Sequence, residues 1–221
     1  MNIVFLEEKR IIGLNTLLLI NKKYRDTKMS LQGPIATHRM RTGIPTGRLA
    51  VWWVLASEIF IFGGLIMCFL LFKFNNAPGF EDADMTSTAA GAFNTFVLLT
   101  SSLSIVLAHA AAEKGDIKAS FRYIWFTIGG GLVFLLVKTY EYSSKIYGGI
   151  TLTENVFWSF YFTATGLHAL HVIGGMVIMG MISFDVRKNH NLQRVELIGL
   201  YWHFVDIVWI FLFPILYIAN F

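Results

Sequence analysis

The stretch AAGAFNTFVLLTSSLSIVLAHAAA, residues 89–112, contains no charged side chain. An α-helix rises about 1.5 Å per residue and the hydrocarbon core of a bilayer is about 30 Å thick, so about 20 apolar residues cross it. The stretch is long enough for that crossing, and its polar residues are small hydroxyls, one asparagine and one histidine. It therefore predicts a transmembrane α-helix.

The composition of the whole chain agrees with a membrane environment. Hydrophobic residues make up 55% of the 221 residues and charged residues 14%, whereas soluble domains have about 45–50% and about 25%. The deficit of charge excludes a disordered chain, a nucleic-acid-binding domain and most soluble enzymes. The one cysteine, Cys68, excludes an intramolecular disulfide and leaves no thiolate set for zinc or an iron–sulfur cluster.

Four further stretches have the length and apolarity of membrane spans: 49–72, 121–140, 155–184 and 197–219. Arg122 and Lys138 lie near the ends of the 121–140 span, where long cationic side chains can reach the polar interface. Short, turn-forming connections join the spans, so consecutive helices should pack antiparallel. The sequence predicts an all-α polytopic membrane bundle of five transmembrane helices in residues 49–221. A basic segment, residues 1–48, precedes it and should be cytoplasmic or interfacial.

The placement of the cations predicts the orientation. With five spans, fifteen of the eighteen Lys and Arg residues fall on the side of the N-terminus, and three, Lys73, Lys138 and Lys145, fall on the other side. Because cytoplasmic loops carry the excess of Lys and Arg, the N-terminus should be inside and the C-terminus outside. The net positive charge of the chain is then explained by the orientation of the spans and by attraction to anionic lipid. No nucleic-acid partner is expected.

Several ionisable side chains lie within the predicted spans, where a charged and unpaired group is energetically costly. They are Glu58, His109, Glu141, His168, His171, His203 and Asp206. Glu58 lies near the middle of the first span and Asp206 deep in the fifth. His168 and His171 are three residues apart and share a helix face, and His203 and Asp206 repeat that spacing. An intramembrane ionisable group is a functional candidate by default.

Four uses of these groups are open. Imidazole and carboxylate together suit an iron, zinc or manganese site, and histidines on facing helices suit a haem b. Glu58 or Asp206 beside water would suit a proton path. Pairing between the groups, such as His203 with Asp206, would lock the helices together. The chain lacks an H-E-x-x-H motif and paired Glu-x-x-His motifs, so pairing is favoured over a metal site.

Glycines recur inside the spans, including Gly63–Gly64, Gly129–Gly131 and Gly174–Gly175. A residue without a β-carbon lets two helices approach closely, or leaves a groove in which a lipid chain can lie. Close helix packing is the interpretation that we favour for any one of them.

Three segments carry a resemblance to a known family. FYFTATGLHALHVIG (residues 160–174) and YWHFVDIVW (residues 201–209) resemble the signatures of subunit III of the haem–copper oxidases. ASEIFIFGG (residues 56–64) resembles the segment that bears the intramembrane glutamate of that family. The resemblance runs in order from about Arg48 to the C-terminus and does not cover residues 1–28. The five spans resemble the shorter bacterial form rather than the mitochondrial form, which has seven helices.

The resemblance implies an accessory, non-catalytic subunit of a proton-pumping terminal oxidase that reduces oxygen to water. Haem and copper then belong to partner subunits I and II, and the chain itself holds no redox centre. Glu58 matches a glutamate that reacts with carbodiimides in relatives, which implies a buried, protonated carboxyl facing subunit I or a lipid groove. The remaining ionisable groups, His109, Glu141, His168, His171, His203 and Asp206, are expected to form a polar core that fixes helix packing.

The same resemblance suggests partners and a location. Membrane phospholipid should bind the chain, with Arg48 and Arg187 as contacts to the headgroups, and a respiratory supercomplex is a further candidate partner. The bacterial cytoplasmic membrane is the expected location. Two alternatives stay open: a haem b membrane anchor of another oxidoreductase, and a nitric-oxide-reductase accessory subunit of the same fold. A small transporter is disfavoured because the sequence has no internal repeat.

Overall fold

The computed structural model describes residues 46–76 and 78–218. Five helices make up most of this part of the chain: α1 (Thr46–Phe74), α2 (Thr88–Glu113), α3 (Ile117–Tyr147), α4 (Val156–Arg187) and α5 (Gln193–Tyr217). A 3₁₀ helix, Phe80–Met85, lies between α1 and α2. Within the described residues, five helices are long and apolar enough to cross a membrane. The prediction of an all-α bundle with five transmembrane helices is confirmed.

The chain divides into two compact units, residues 1–49 and residues 50–221. Of the first unit only residues 46–49 are described, and they form the first turn of α1. The predicted basic segment therefore lies almost wholly outside the described residues, and so do the last three residues of the chain. The second unit holds the remainder of α1 and the other four helices.

Polar side chains cap the N-termini of α3 and α4, two helices that follow short connections. Asp116 accepts a hydrogen bond from the backbone N–H of Ala119 at 3.0 Å, and Asn155 accepts one from Trp158 at 3.0 Å. Such caps satisfy backbone donors that have no partner within the helix. Gly115 and Gly149 follow the ends of α2 and α3 with φ of +76° and +87°, a conformation that glycine adopts without a steric penalty.

The third helix is longer than the sequence predicted, since α3 continues to Tyr147 instead of ending at Tyr140. The residues after Tyr140 are polar but contain no helix breaker before Gly148, so the helix extends beyond its apolar stretch. The expectation that Lys138 reaches the polar interface is wrong, because Lys138 lies inside this longer helix and is only 3% exposed.

Indole N–H groups on α5 join that helix to α2. The Trp202 Nε1–H donates to Ser101 Oγ at 3.1 Å, and the Trp209 Nε1–H donates to Thr95 Oγ1 at 3.0 Å. Trp202 also fills the space above Gly175 of α4, where an added β-carbon would lie 2.9 Å from the indole ring. Buried tryptophans thus fix the spacing of α2, α4 and α5.

The connection between α1 and α2 is attached to one end of the bundle. Asp82 Oδ2 accepts hydrogen bonds from Asn155 Nδ2 at 2.6 Å and from Trp158 Nε1 at 3.0 Å. Thr88 Oγ1 donates to the backbone carbonyl of Tyr217 at 3.1 Å. These bonds hold together the start of α4, the end of α5 and the loop.

Candidate functional sites inside the bundle

Glu58 on α1 lies against His171 on α4. Glu58 Oε2 is 2.9 Å from His171 Nε2, and the two side chains are 14% and 18% exposed. Both residues lie about halfway along their helices, so the contact is at mid-membrane depth. Phe62, one turn along α1, packs edge-on against the imidazole with ring centroids 5.3 Å apart. The carboxyl expected from the sequence therefore has a base as its neighbour.

The backbone determines which nitrogen of His171 faces Glu58. His171 Nδ1 is 2.8 Å from the carbonyl oxygen of Leu167. A carbonyl oxygen only accepts hydrogen bonds, so Nδ1 carries a proton and Nε2 is the nitrogen that faces the carboxyl. The contact itself is not aligned as a hydrogen bond.

His168 is one turn from His171, but it faces the interior of the bundle. Its imidazole is fully buried, with ring centroids 5.3 Å from Phe134 and 5.2 Å from Trp209. Neither ring nitrogen has a hydrogen-bond partner among the described residues. The two histidines share the helix spacing that the sequence predicts, yet they have different neighbours.

His203 contacts α2 rather than its predicted partner on α5. His203 Nδ1 lies 2.5 Å from Ser102 Oγ. Asp206 is buried, and within the described residues neither of its carboxyl oxygens forms a hydrogen bond. The predicted hydrogen-bonded pair of His203 with Asp206 is therefore not present, because the imidazole points across the helix interface.

His109 lies at the end of α2 and does not join the interior groups. Its Nε2 is 3.5 Å from Glu113 Oε1, one turn further along the helix, and the Glu113 side chain is 70% exposed. The predicted headgroup contacts, Arg48 and Arg187, are both exposed and lie in the first turn of α1 and at the last residue of α4.

Glu141 is part of a buried cluster that the sequence did not predict. Lys138 Nζ donates to Glu141 Oε2 at 3.0 Å, and the Tyr217 hydroxyl donates to the same oxygen at 3.0 Å. The hydroxyls of Tyr161 and Tyr217 are 3.1 Å apart. The available signal was the spacing of Lys138 and Glu141, three residues apart on one helix face.

The seven candidates therefore do not converge on one centre. Within residues 46–76 and 78–218, no group of three or more His, Cys, Asp and Glu side chains is placed to hold a metal ion. The structure distributes them among a mid-membrane acid–base pair, an isolated buried imidazole, the α2–α5 interface, a buried ion pair and one helix end. That distribution is typical of helix-bundle packing with one ionisable pair that is mostly buried.

Comparison with known proteins gives the family. The model of the family described as cytochrome c oxidase subunit III matches residues 5–220. The chain belongs to the cytochrome c oxidase subunit III family. The match begins well before Arg48, so the similarity extends further toward the N-terminus than the sequence motifs indicated.

Individual relatives support the assignment. Cytochrome c oxidase subunit 3 of Thermostichus vulcanus is 37% identical over 171 residues, which cover 75% of this chain and 84% of the relative. The subunit 3 of Alkalihalophilus pseudofirmus is 32% identical over 177 residues, covering 78% and 86%. A haem–copper oxidase subunit I+III of Aeropyrum pernix is 28% identical over 186 residues, covering 78% of this chain and 22% of that protein.

Membership of the subunit III family confirms the resemblance. The chain is an integral membrane protein and an accessory subunit of a haem–copper oxidase in aerobic respiration. The subunit III family carries no redox centre.

Proposed function

We propose that this subunit stabilises subunit I of its oxidase and sustains proton uptake there, and that the Glu58–His171 pair is the group through which it acts. The observation that carries the proposal is the 2.9 Å contact of a carboxyl with an imidazole at mid-membrane depth. Such a pair holds a proton without a net charge, which lowers the cost of placing ionisable groups in the bilayer.

The exposure of α1 supports a role at an interface. In the apolar window of α1 only 11% of the residues are buried, compared with 44% in α5. The side chains of Phe62 and Phe69 are buried against the bundle, while Ile59, Phe60 and Met67 are exposed. Glu58 is thus on the helix that has the most surface left for a neighbour, either subunit I or lipid.

The name of one relative supports subunit I as that neighbour. The Aeropyrum pernix protein is named as subunits I and III together, and this chain matches 22% of its length. A chain that carries both subunits keeps the two next to each other. We extend that arrangement to this protein, with subunit II as a further partner and the bacterial cytoplasmic membrane as the location.

A groove lined only by apolar side chains supports lipid binding. It lies between α1, α4 and α5, and its lining residues are Leu65, Ile66, Phe69, Phe160, Ala164, Leu212, Ile215 and Leu216. Its empty volume of about 210 Å³ accommodates a segment of an acyl chain, which needs no polar partner. Arg48 and Arg187 are the proposed headgroup contacts at the end of the bundle that carries most of the cations.

The experiment uses the purified oxidase with Glu58→Gln, which keeps the size of the side chain and removes its ionisation. We expect an unchanged initial rate of oxygen consumption and a several-fold smaller number of turnovers before activity is lost. Glu113→Gln is the matched control, because Glu113 also contacts a histidine but is exposed at a helix end. It should behave like the parent enzyme. Identical lifetimes of Glu58→Gln and the parent during turnover would contradict the proposal.

A further inference from the structure

Four aromatic rings surround the ammonium group of Lys138. The distances from Lys138 Nζ to the ring centroids are 4.9 Å for Tyr217, 5.0 Å for Trp209, 5.1 Å for Tyr161 and 5.9 Å for Tyr142. Lys138 donates to the hydroxyls of Tyr217 and Tyr161, so these two rings turn their hydroxyl edges toward the ammonium. The attraction of a cation to the negative ring face, which acts within about 6 Å of the centroid, is therefore left to Trp209 and Tyr142. We call these four residues the aromatic cage.

One carboxylate completes the surroundings of the ammonium group. Glu141 Oε2 accepts from Lys138 Nζ at 3.0 Å, and Lys138 also donates to the hydroxyls of Tyr217 and Tyr161. Lys138 and Glu141 are 3% and 5% exposed, so solvent screens little of this attraction. The second oxygen, Oε1, has no hydrogen-bond partner among the described residues. The ammonium is therefore surrounded as a bound cation would be, by a carboxylate, hydroxyl oxygens and aromatic rings.

The residues of the aromatic cage come from three helices, and the cage lies apart from Glu58. Tyr142 is on α3 with Lys138, Tyr161 is on α4, and Trp209 and Tyr217 are on α5. It lies toward the end of the bundle at which Thr88 Oγ1 donates to the carbonyl of Tyr217. A cation held there contacts a side chain of each helix at once.

We propose that the aromatic cage and Glu141 form a binding site for a primary ammonium ion, which the chain fills with its own Lys138. The charge of Lys138, rather than its alkyl chain, then holds α3, α4 and α5 together at this end. A buried ion pair alone often gains little over well-packed apolar residues, because both charges lose their hydration. Two tyrosine hydroxyls and the rings of Trp209 and Tyr142 stabilise the cation, whereas the carboxylate gains only the hydroxyl of Tyr217.

The first test compares single and double substitutions in the assembled oxidase. Lys138→Met keeps the alkyl volume but leaves the buried Glu141 with the Tyr217 hydroxyl as its one donor among the described residues, whereas Glu141→Gln leaves the ammonium with two hydroxyls and the aromatic cage. We expect Lys138→Met to lower the midpoint temperature at which this subunit leaves the complex by roughly 5–10 °C. Glu141→Gln should lower it by less than half as much. A simple ion pair would make the two changes equally damaging.

The second test is chemical rescue of a cavity. Lys138→Ala removes the atoms of n-propylammonium from the side chain, so added n-propylammonium should restore the midpoint temperature, and 1-propanol of the same size should not. Lys145→Ala is the matched control: Lys145 lies over one ring, that of Trp158, at 5.2 Å, donates to the carbonyl of Met85 and is half-buried. Neither compound should affect it.

Three results would overturn the proposal. One is a Lys138→Met variant as stable as the parent, and another is equal loss in Lys138→Met and Glu141→Gln. The third is rescue of Lys138→Ala by 1-propanol as effective as rescue by n-propylammonium, which would show that only volume matters. Should Lys138→Ala fail to assemble, the comparison of Lys138→Met with Glu141→Gln still decides between the charge and the alkyl chain.

Discussion

His168 is a polar side chain with apolar surroundings. A fully buried imidazole normally has hydrogen-bond partners, because an unpaired polar atom inside a protein costs about 1–3 kcal/mol. His168 has none among the described residues and is enclosed by the rings of Phe134 and Trp209. Its ring shape therefore accounts for its contacts better than its nitrogens do.

His168→Phe should accordingly be tolerated. The variant keeps a ring between Phe134 and Trp209 and removes two unpartnered nitrogens, so stability should change by less than about 1 kcal/mol. His203→Phe is the comparison, since it removes a contact with Ser102 and should cost about 1–2 kcal/mol. Thermal denaturation of the purified complex measures both. A larger loss for His168→Phe than for His203→Phe would show that the nitrogens of His168 have partners.

At single residues, the sequence predicted that Glu58 lies within a membrane span but not which side chain faces it. Glu58 could be found because a carboxylate in the middle of an apolar stretch is visible in the sequence. Its partner His171 is on another helix, and the contact depends on how α1 packs against α4. The predicted pairing of His203 with Asp206 failed for the same reason, since Ser102 on α2 competes for the imidazole.

Glycines on α1 and α4 differ in whether a neighbouring side chain packs against them. A β-carbon at Gly175 of α4 would lie 2.9 Å from the indole of Trp202, which is buried and bonded to Ser101. A β-carbon at Gly63 of α1 would have nothing within 4 Å. The sequence could predict that glycine allows close approach, but not at which glycines a neighbour is present.

These two glycines give opposite predictions for substitution by alanine. Gly175→Ala should cost about 1–3 kcal/mol, because Trp202 cannot move without losing its hydrogen bond. Gly63→Ala should be neutral or stabilise by about 0.5–1 kcal/mol, since alanine is the better helix former and the space is open. Thermal unfolding of the isolated subunit in detergent compares them. Destabilisation by Gly63→Ala in detergent would show that another part of the chain packs on that face.

The ends of the helices show why Lys138 was misplaced. Apolar composition predicted a third span ending at Tyr140, which put Lys138 at its edge. The helix continues until Gly148–Gly149, so Lys138 lies nine residues before the end of α3. A helix ends at a helix breaker, whereas an apolar stretch ends at the first run of polar residues. The two ends differ in α3 because polar residues continue the helix beyond its apolar stretch.

For the whole molecule, the distribution of charge predicts how the bundle is oriented. The connections α2–α3 and α4–α5 carry Lys114, Lys118, Arg187 and Lys188, and in an antiparallel bundle they lie at the same end. The connection between α1 and α2 carries Glu81, Asp82 and Asp84 and lies at the other end. By the positive-inside rule, we expect the first end to be cytoplasmic.

Cysteine accessibility tests this orientation in intact cells. With Cys68 replaced by alanine, Glu81→Cys and Lys114→Cys each place one thiol in an exposed position at opposite ends of the bundle. A membrane-impermeant maleimide should label the Glu81→Cys variant in intact cells and the Lys114→Cys variant only after permeabilisation. The reverse pattern would contradict the positive-inside argument and would also place the aromatic cage in the cytoplasmic half of the membrane. Because Lys138 is inside the bundle, it adds no cation to either surface, and the asymmetry in the exposed loops is greater than the sequence count suggested.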